Sequence, residues 1–297
     1  KVMTKGSAML LGKRMMGNII AGGNNTGDKL IQPADIVNMN GGWSEMLSGD
    51  DPMASMRKTF TDYAMMLDYR ENVYRRNNGL VSLNTVSTPG KNMKILWNGM
   101  VGADRYRMKS TDHYAYHGGL AYTDSTRELQ DKRHFLSNIK FKLANQKNME
   151  LTLTNRSYFG TTEGNTDRQL QSVGLNEQTK GRLAMINNAL VWLYRHGKNV
   201  FSYKADLNFL FSNNRYDFSS QPTPLFKSPA LHSEMNIRRL EFTGSAQYVR
   251  RFADDYFLRI ALRHGLETFS TTVKGDSAGM DNPALKMPYR FYDNGAE

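Results

Sequence analysis

The sequence predicts an all-β chain: an antiparallel up-and-down sheet forming part of a transmembrane β-barrel, with short turns on one side and long loops on the other. Three observations predict it. Apolar and polar residues alternate with period two over stretches longer than the soluble-strand mode of ~5–6 residues. Tight-turn chemistry separates these stretches in pairs. Long polar links join the pairs, so that a short turn and a long link recur roughly every 50 residues, a repeat of architecture and not of sequence.

The clearest stretch is 200–212, where Phe201, Tyr203, Ala205, Leu207, Phe209 and Phe211 alternate with Ser202, Lys204, Asp206 and Asn208. The stretch 237–250 sets Leu240, Phe242, Ala246 and Tyr248 against Arg239, Glu241, Thr243 and Gln247. In 256–268, Leu258, Ile260, Leu262 and Leu266 oppose Arg259, Arg263 and Glu267. Residues 135–143 and 93–103 follow the same rule; 80–86 alternates weakly, and 183–193 is apolar on both faces around Asn187 and Asn188. Thr88-Pro89-Gly90-Lys91-Asn92, Asn145-Gln146-Lys147-Asn148, His196-Gly197-Lys198-Asn199 and 251–255 are the size of hairpin connections. The links 105–134, 161–180 and 214–236 are rich in Asn, Asp, Ser, Thr, Gly and Gln and read as loops.

This divides the chain into three parts. Residues 1–77 begin the barrel, with a hairpin over 6–21 turning at Gly12-Lys13; at 52–67 a short helix behind Asp51-Pro52 competes with a structured loop. Residues 78–271 form a β-meander of long hairpins. Residues 272–297 are a loop or a truncated next strand. The total is about ten strands, within the ~8–26 of bacterial single-chain barrels. The chain opens at Lys1 without a leader and reads as a piece of a larger protein.

Composition excludes several classes. The absence of Cys removes disulfide scaffolds, thiolate metal sites and cysteine nucleophiles. The 39 Lys+Arg against 28 Asp+Glu give +11, but the cations are scattered without a block, so a nucleic-acid partner is not expected. The longest apolar run, 189–194, is far short of the ~20 residues of a spanning helix. His113 and His117, four apart near Asp112 and Asp124, fall in a segment that does not read as a helix, so no metal site is expected. There is no Gly-x-Ser-x-Gly elbow and no phosphate-cradling glycine loop, so neither catalysis nor a cofactor is expected.

A membrane barrel then assigns the faces. Lys204, Asp206, Arg239, Glu241, Arg259, Arg263 and Glu267 are the lumen-facing polar candidates, because Arg or Lys facing hydrocarbon costs ~2–4 kcal/mol at the midplane. Tyr158, Tyr194, Phe211, Tyr216, Tyr248 and Tyr256 are the candidate interface aromatics, whose partners are the lipids of the membrane. The Arg75-Arg76 and Arg238-Arg239 doublets read first as plain solvated residues, with contacts to anionic headgroups or to a polyanionic substrate as the alternatives. Rival readings are a non-transport outer-membrane barrel serving as scaffold or adhesin, a soluble extracellular glycan-binding β-protein, and an outer-membrane hydrolase.

Asn24-Asn25-Thr26-Gly27-Asp28, the segment Arg70-Glu71-Asn72-Val73-Tyr74-Arg75-Arg76-Asn77-Asn78 and the 200–213 hairpin resemble the barrel region of TonB-dependent receptors. The group most similar carries a carboxypeptidase-regulatory-like domain ahead of its plug. The resemblance implies a barrel of about 22 strands, a plug, and a box that engages a TonB-type energy-transducing complex through a region outside this chain. It also implies an outer-membrane location in a Gram-negative bacterium, import of a nutrient such as a glycan, peptide or metal chelate, and room for a surface lipoprotein partner. It transfers no functional residue position by position.

Overall fold

The computed structural model describes residues 2–25, 73–115, 121–145, 148–170, 173–220, 230–252, 256–276 and 285–296. They form a single sheet of eleven antiparallel strands in strict sequence order. The strands are β1 (Met3–Leu11), β2 (Met15–Asn24), β3 (Val73–Gly90), β4 (Met93–Ala115), β5 (Ala121–Asn145) and β6 (Met149–Leu170), followed by β7 (Val173–His196), β8 (Asn199–Ser220), β9 (Ala230–Arg251), β10 (Phe257–Asp276) and β11 (Leu285–Ala296). Among the described residues β1 and β11 do not pair with each other, so the sheet is an open sector. The 6–21 hairpin is present as β1 and β2, closed by the Gly12 amide donating to the Met15 carbonyl at 2.9 Å. The 52–67 segment lies outside the described residues.

Turn chemistry fixes the register. Gly197 takes φ of 58°, the left-handed region that two-residue hairpin turns require at their first central position and that glycine enters without a Cβ penalty. From that turn β7 and β8 pair without a slip from His196↔Asn199 to Leu175↔Ser220. The β3–β4 pairing is irregular between Ser87 and Gly90, beside the Pro-Gly turn.

The polar links are not the loops that their composition predicts. Residues 105–134, 161–180 and 214–236 are chiefly strand: β5 and β7 run 25 and 24 residues, β6 and β8 22 each. Every described residue of these three links is in a strand. Backbone donors and acceptors saturate in the ladder whatever the side chains are. When both faces meet water the period-two signal vanishes, yet the strand persists.

Side-chain parity assigns the curvature. Met100 is 1% exposed and its neighbour Val101 57%; Leu136 is 2% exposed and Phe135 39%. Cross-strand partners share a face, so the buried parity is one continuous concave surface and the exposed parity a convex one.

Candidate functional site

The concave face carries a transverse polar row. Register places Asn18, Asn84, Asn98, Asn138, Arg156, Asn187, Asn208, Glu241 and Glu267 side by side across nine strands, β2 to β10. An amide both donates and accepts, so neighbours link in chain: Asn84 Nδ2 donates to Asn18 Oδ1 at 2.8 Å, Asn187 Nδ2 donates to Asn208 Oδ1, and Asn208 Nδ2 donates to Glu241 Oε2 at 3.4 Å. Arg239, one row higher, bridges the acidic end, 3.3 Å from Glu241 and 2.7 Å from Glu267. Its guanidinium offsets two carboxylates that face each other across the β9–β10 ladder.

Directly beside this row lies an apolar one: Met100, Leu136, Tyr158, Met185 and Leu210. The two rows line a depression of about 260 Å³ bounded by Arg156, Asn187, Asn208, Arg239 and Glu241 on its polar side. Among the described residues the buried Asn84 Oδ1 and Arg156 Nε have no hydrogen-bond partner. An acceptor and a cationic donor thus stay available to something polar on this face. The arrangement suits a hydrated passage or a binding surface for a small polar solute. Among the described residues no three His, Asp or Glu gather as a metal site.

Higher on the same face, Arg76 Nε reaches both oxygens of Asp104 (2.9 and 3.0 Å) and its guanidinium lies over the Tyr106 ring at 5.6 Å. The Tyr106 hydroxyl donates to Gln130 Oε1 at 2.7 Å. Near the strand tips Arg168 Nε donates to Asp124 at 2.9 and 3.0 Å. That hydrogen bond holds the Asp124 carboxyl below the usual aspartate value and raises the arginine. His113 Nδ1 lies 3.0 Å from the Thr123 hydroxyl, and His117 lies outside the described residues.

Register puts Lys204, Asp206, Arg239, Glu241, Arg259, Arg263 and Glu267 all on the concave parity. The structure brings Arg239, Glu241 and Glu267 into contact; Arg259 stays exposed near the turns. The nine-strand row escaped sequence reading because its members are neighbours only across strands. Asn187 and Asn208, for example, are 21 residues apart. Their symmetric placement about the Gly197 turn was the available signal.

The aromatics divide. Tyr194, Phe211 and Tyr248 are convex, and Tyr256 precedes β10 fully in the open. Tyr158 and Tyr216 are not interface rings: both are concave, Tyr158 within the apolar row and Tyr216 bonded to Glu177, where the strand has risen past the apolar band. Burial and the Glu177 carboxylate together hold the Tyr216 hydroxyl above its usual value. Sequence proximity to a polar link misled here because the strands continue through it. The pleat also splits the arginine doublets. Arg76 and Arg239 are concave, Arg75 and Arg238 convex, with Arg238 5.9 Å over the Phe211 ring.

On the convex face, aromatic rows bound an apolar band. Near the turns Trp192 stacks with Tyr194 (6.5 Å) and meets Phe201 edge-on (5.2 Å), and the Tyr248 hydroxyl donates to Asn199 at 2.8 Å. At the far side Phe135 and Phe159 stack at 6.2 Å in one row with Phe211. Ten residues of β8 separate Phe201 from Phe211; at ~3.4 Å per residue and ~45° tilt the band is about 24 Å tall. Within it the Trp97 indole donates to Ser137 (3.1 Å), Ser157 to Asn155 (3.0 Å) and Asn155 to Asn188 (2.7 Å).

No family model matches the sequence, and no curated protein matches it. Solved structures do match the fold. The ferric yersiniabactin uptake receptor FyuA from Yersinia pestis aligns with 99% of this chain and 40% of its own, at 10% identity and a TM-score of 0.50. The ferric-catecholate import receptor Fiu from E. coli K12 aligns with 99% of this chain and 45% of its own, at 9% identity and a TM-score of 0.42. The chain thus spans less than half the length of these receptors. At such identity the FyuA likeness shows the fold alone: an up-and-down sheet like a sector of that β-barrel.

Proposed function

We propose that the chain is the barrel sector of an outer-membrane TonB-dependent receptor that imports a nutrient ligand into the periplasm of a Gram-negative bacterium. One observation carries the reading: a convex apolar band that runs from Phe201 to Phe211 on β8 between aromatic rows, long enough to span about 24 Å at the ~45° tilt of membrane strands, backed by a concave face lined with amides and charges. A soluble sheet would cover that band with a second layer. In this reading lipid meets the convex face, and the ligand moves past the Asn–Arg–Glu row. The strand tips stand in external solvent, where a surface lipoprotein has room to dock. Energy arrives from a TonB-type complex through a region outside the chain. The concave face acts by binding and passage and carries out no catalysis.

The test uses the full-length protein. A barrel migrates faster in SDS gels before boiling than after, and leaves membranes only with detergent. Import then requires ligand accumulation that collapses in a strain lacking the energy-transducing partner. A protein soluble in plain buffer sinks the membrane reading. A heat-modifiable barrel whose loss leaves uptake unchanged sinks the import reading and favours a scaffold or adhesin.

A further inference from the structure

The turn-side end of the concave face carries an excess of positive charge. Lys94 lies directly opposite Lys142 on the β4–β5 ladder, and the same register row continues through Thr152, Val191, Lys204 and Ser245 to Arg263 on β10. Four cations thus share a row of seven strands that holds no carboxylate. Like charges set directly opposite each other across a ladder are destabilising. Elsewhere on this face the arginines are compensated: Arg76 holds Asp104, Arg168 holds Asp124, and Arg239 lies between Glu241 and Glu267.

Between this row and the turns the face opens into a hollow of about 810 Å³, a size that takes a small molecule. Lys91, Lys94, Lys142 and Arg195 line it, against the single carboxylate of Glu150. Lys94 and Arg195 are exposed and have no acidic partner among the described residues. They sit three strands apart, about 14 Å across the sheet, with Lys142 between them. A single anionic group does not reach across that span, whereas a solute carrying several does. Lysine meets a carboxylate or a phosphate as a point charge, and the arginine fork takes either one bidentately.

We propose that this hollow is a binding station for a small polyanionic solute, one bearing two or more carboxylate or phosphate groups. The inference rests on the import reading and gives it a substrate class. The solute passes the Asn–Arg–Glu row and is held at the turn-side mouth before it leaves for the periplasm. Its anionic groups meet Lys94, Lys142 and Arg195, while Glu150 repels them and keeps the hold reversible. A neutral sugar fits less well, since it leaves the repulsion between Lys94 and Lys142 in place.

The test is calorimetric titration of the full-length receptor in detergent with inorganic tripolyphosphate, with tricarballylate or with maltotriose. At least one of the two anions should bind, the tighter one naming the anionic group, and the neutral trisaccharide should not. Lys94→Gln with Lys142→Gln and Arg195→Gln should weaken the anion about tenfold. Lys109→Gln, which removes an exposed cation from the convex face, should leave it unchanged. Glu150→Gln should tighten it about two- to threefold, and it stands in if the triple variant does not fold. Absence of anion binding, equal binding of maltotriose, a loss as large in Lys109→Gln, or a Kd indifferent to the hollow variants overturns the proposal. Heat-modifiable migration and partner-dependent import are read in parallel. A receptor that inserts and imports yet ignores both anions sinks only this inference, and one that never inserts sinks the barrel reading beneath it.

Discussion

Below the row that runs from Val81 to Phe211, strands β4 to β9 present two unlike faces; above it the same strands present two similar ones. Leu207 and Phe209 are convex with Asn208 and Lys204 behind them, whereas higher on β8 Arg215 and Asp217 are convex with Tyr216 and Asn214 behind. The hydrogen-bond ladder crosses the boundary without a break. Backbone pairing is therefore indifferent to solvent, and the side chains alone record it. In the membrane-barrel reading, the lower half records hydrocarbon outside and water inside, and the upper half water on both sides.

The sharpest way to break this contrast is to put the same charge in both halves. Leu207→Arg, in the middle of the convex band, should destabilise the barrel by ~2–4 kcal/mol in bilayer-based urea unfolding. Ser219→Arg, exposed on the same face of the same strand above the boundary, should stay within about 0.5 kcal/mol. Equal costs would mean that the lower band is not lipid-facing.

Close packing gives the next effect. A Cβ at Gly244 would intrude on the His264 ring, which is held 5.3 Å from Phe242 and 6.4 Å from Tyr203. Gly244→Ala should cost about 1–3 kcal/mol, and His264→Ala in that background should recover part of it by freeing the space. On the concave face, Arg239→Ala leaves Glu241 opposite Glu267. It should cost about 1 kcal/mol, and Glu267→Gln in the same background should restore stability by removing one like charge. The smallest effect belongs to the upper half. The Asp124 pKa is lowered in the fold, so its contribution is complete above the ordinary aspartate value and is lost as pH falls through the folded one. Asp124→Asn should flatten that acid limb of the stability profile and leave the neutral-pH barrel assembled.

The same contrast explains what the sequence disclosed. Residues 200–212 and 237–250 showed their strands because one face was apolar and the other polar. Residues 161–170 and 214–220 hid theirs, since Asn, Thr, Asp and Arg on both faces look like a loop. β7 was ambiguous for the opposite reason: Met185 and Leu183 join a concave apolar patch while Ile186 and Leu190 face outward. Asn187 and Asn188 sat visibly in that stretch, yet they serve different faces, one in the transverse row and the other bonded to Asn155. Which asparagines form a row depends on where every turn is centred, a property of eleven strands together that no local window contains.

The spacing of the aromatic rows has a further effect. In the membrane-barrel reading, a bilayer of different thickness must thin or swell around the band, at a fraction of a kcal/mol per Å of hydrophobic mismatch. A band of about 24 Å on β8 lies below the ~30 Å of an average hydrocarbon core. Short-chain vesicles should accept the protein fastest, and thick sterol-rich ones should repel it. Membrane thickness alone would then bias where the molecule settles, before any receptor or targeting signal is consulted.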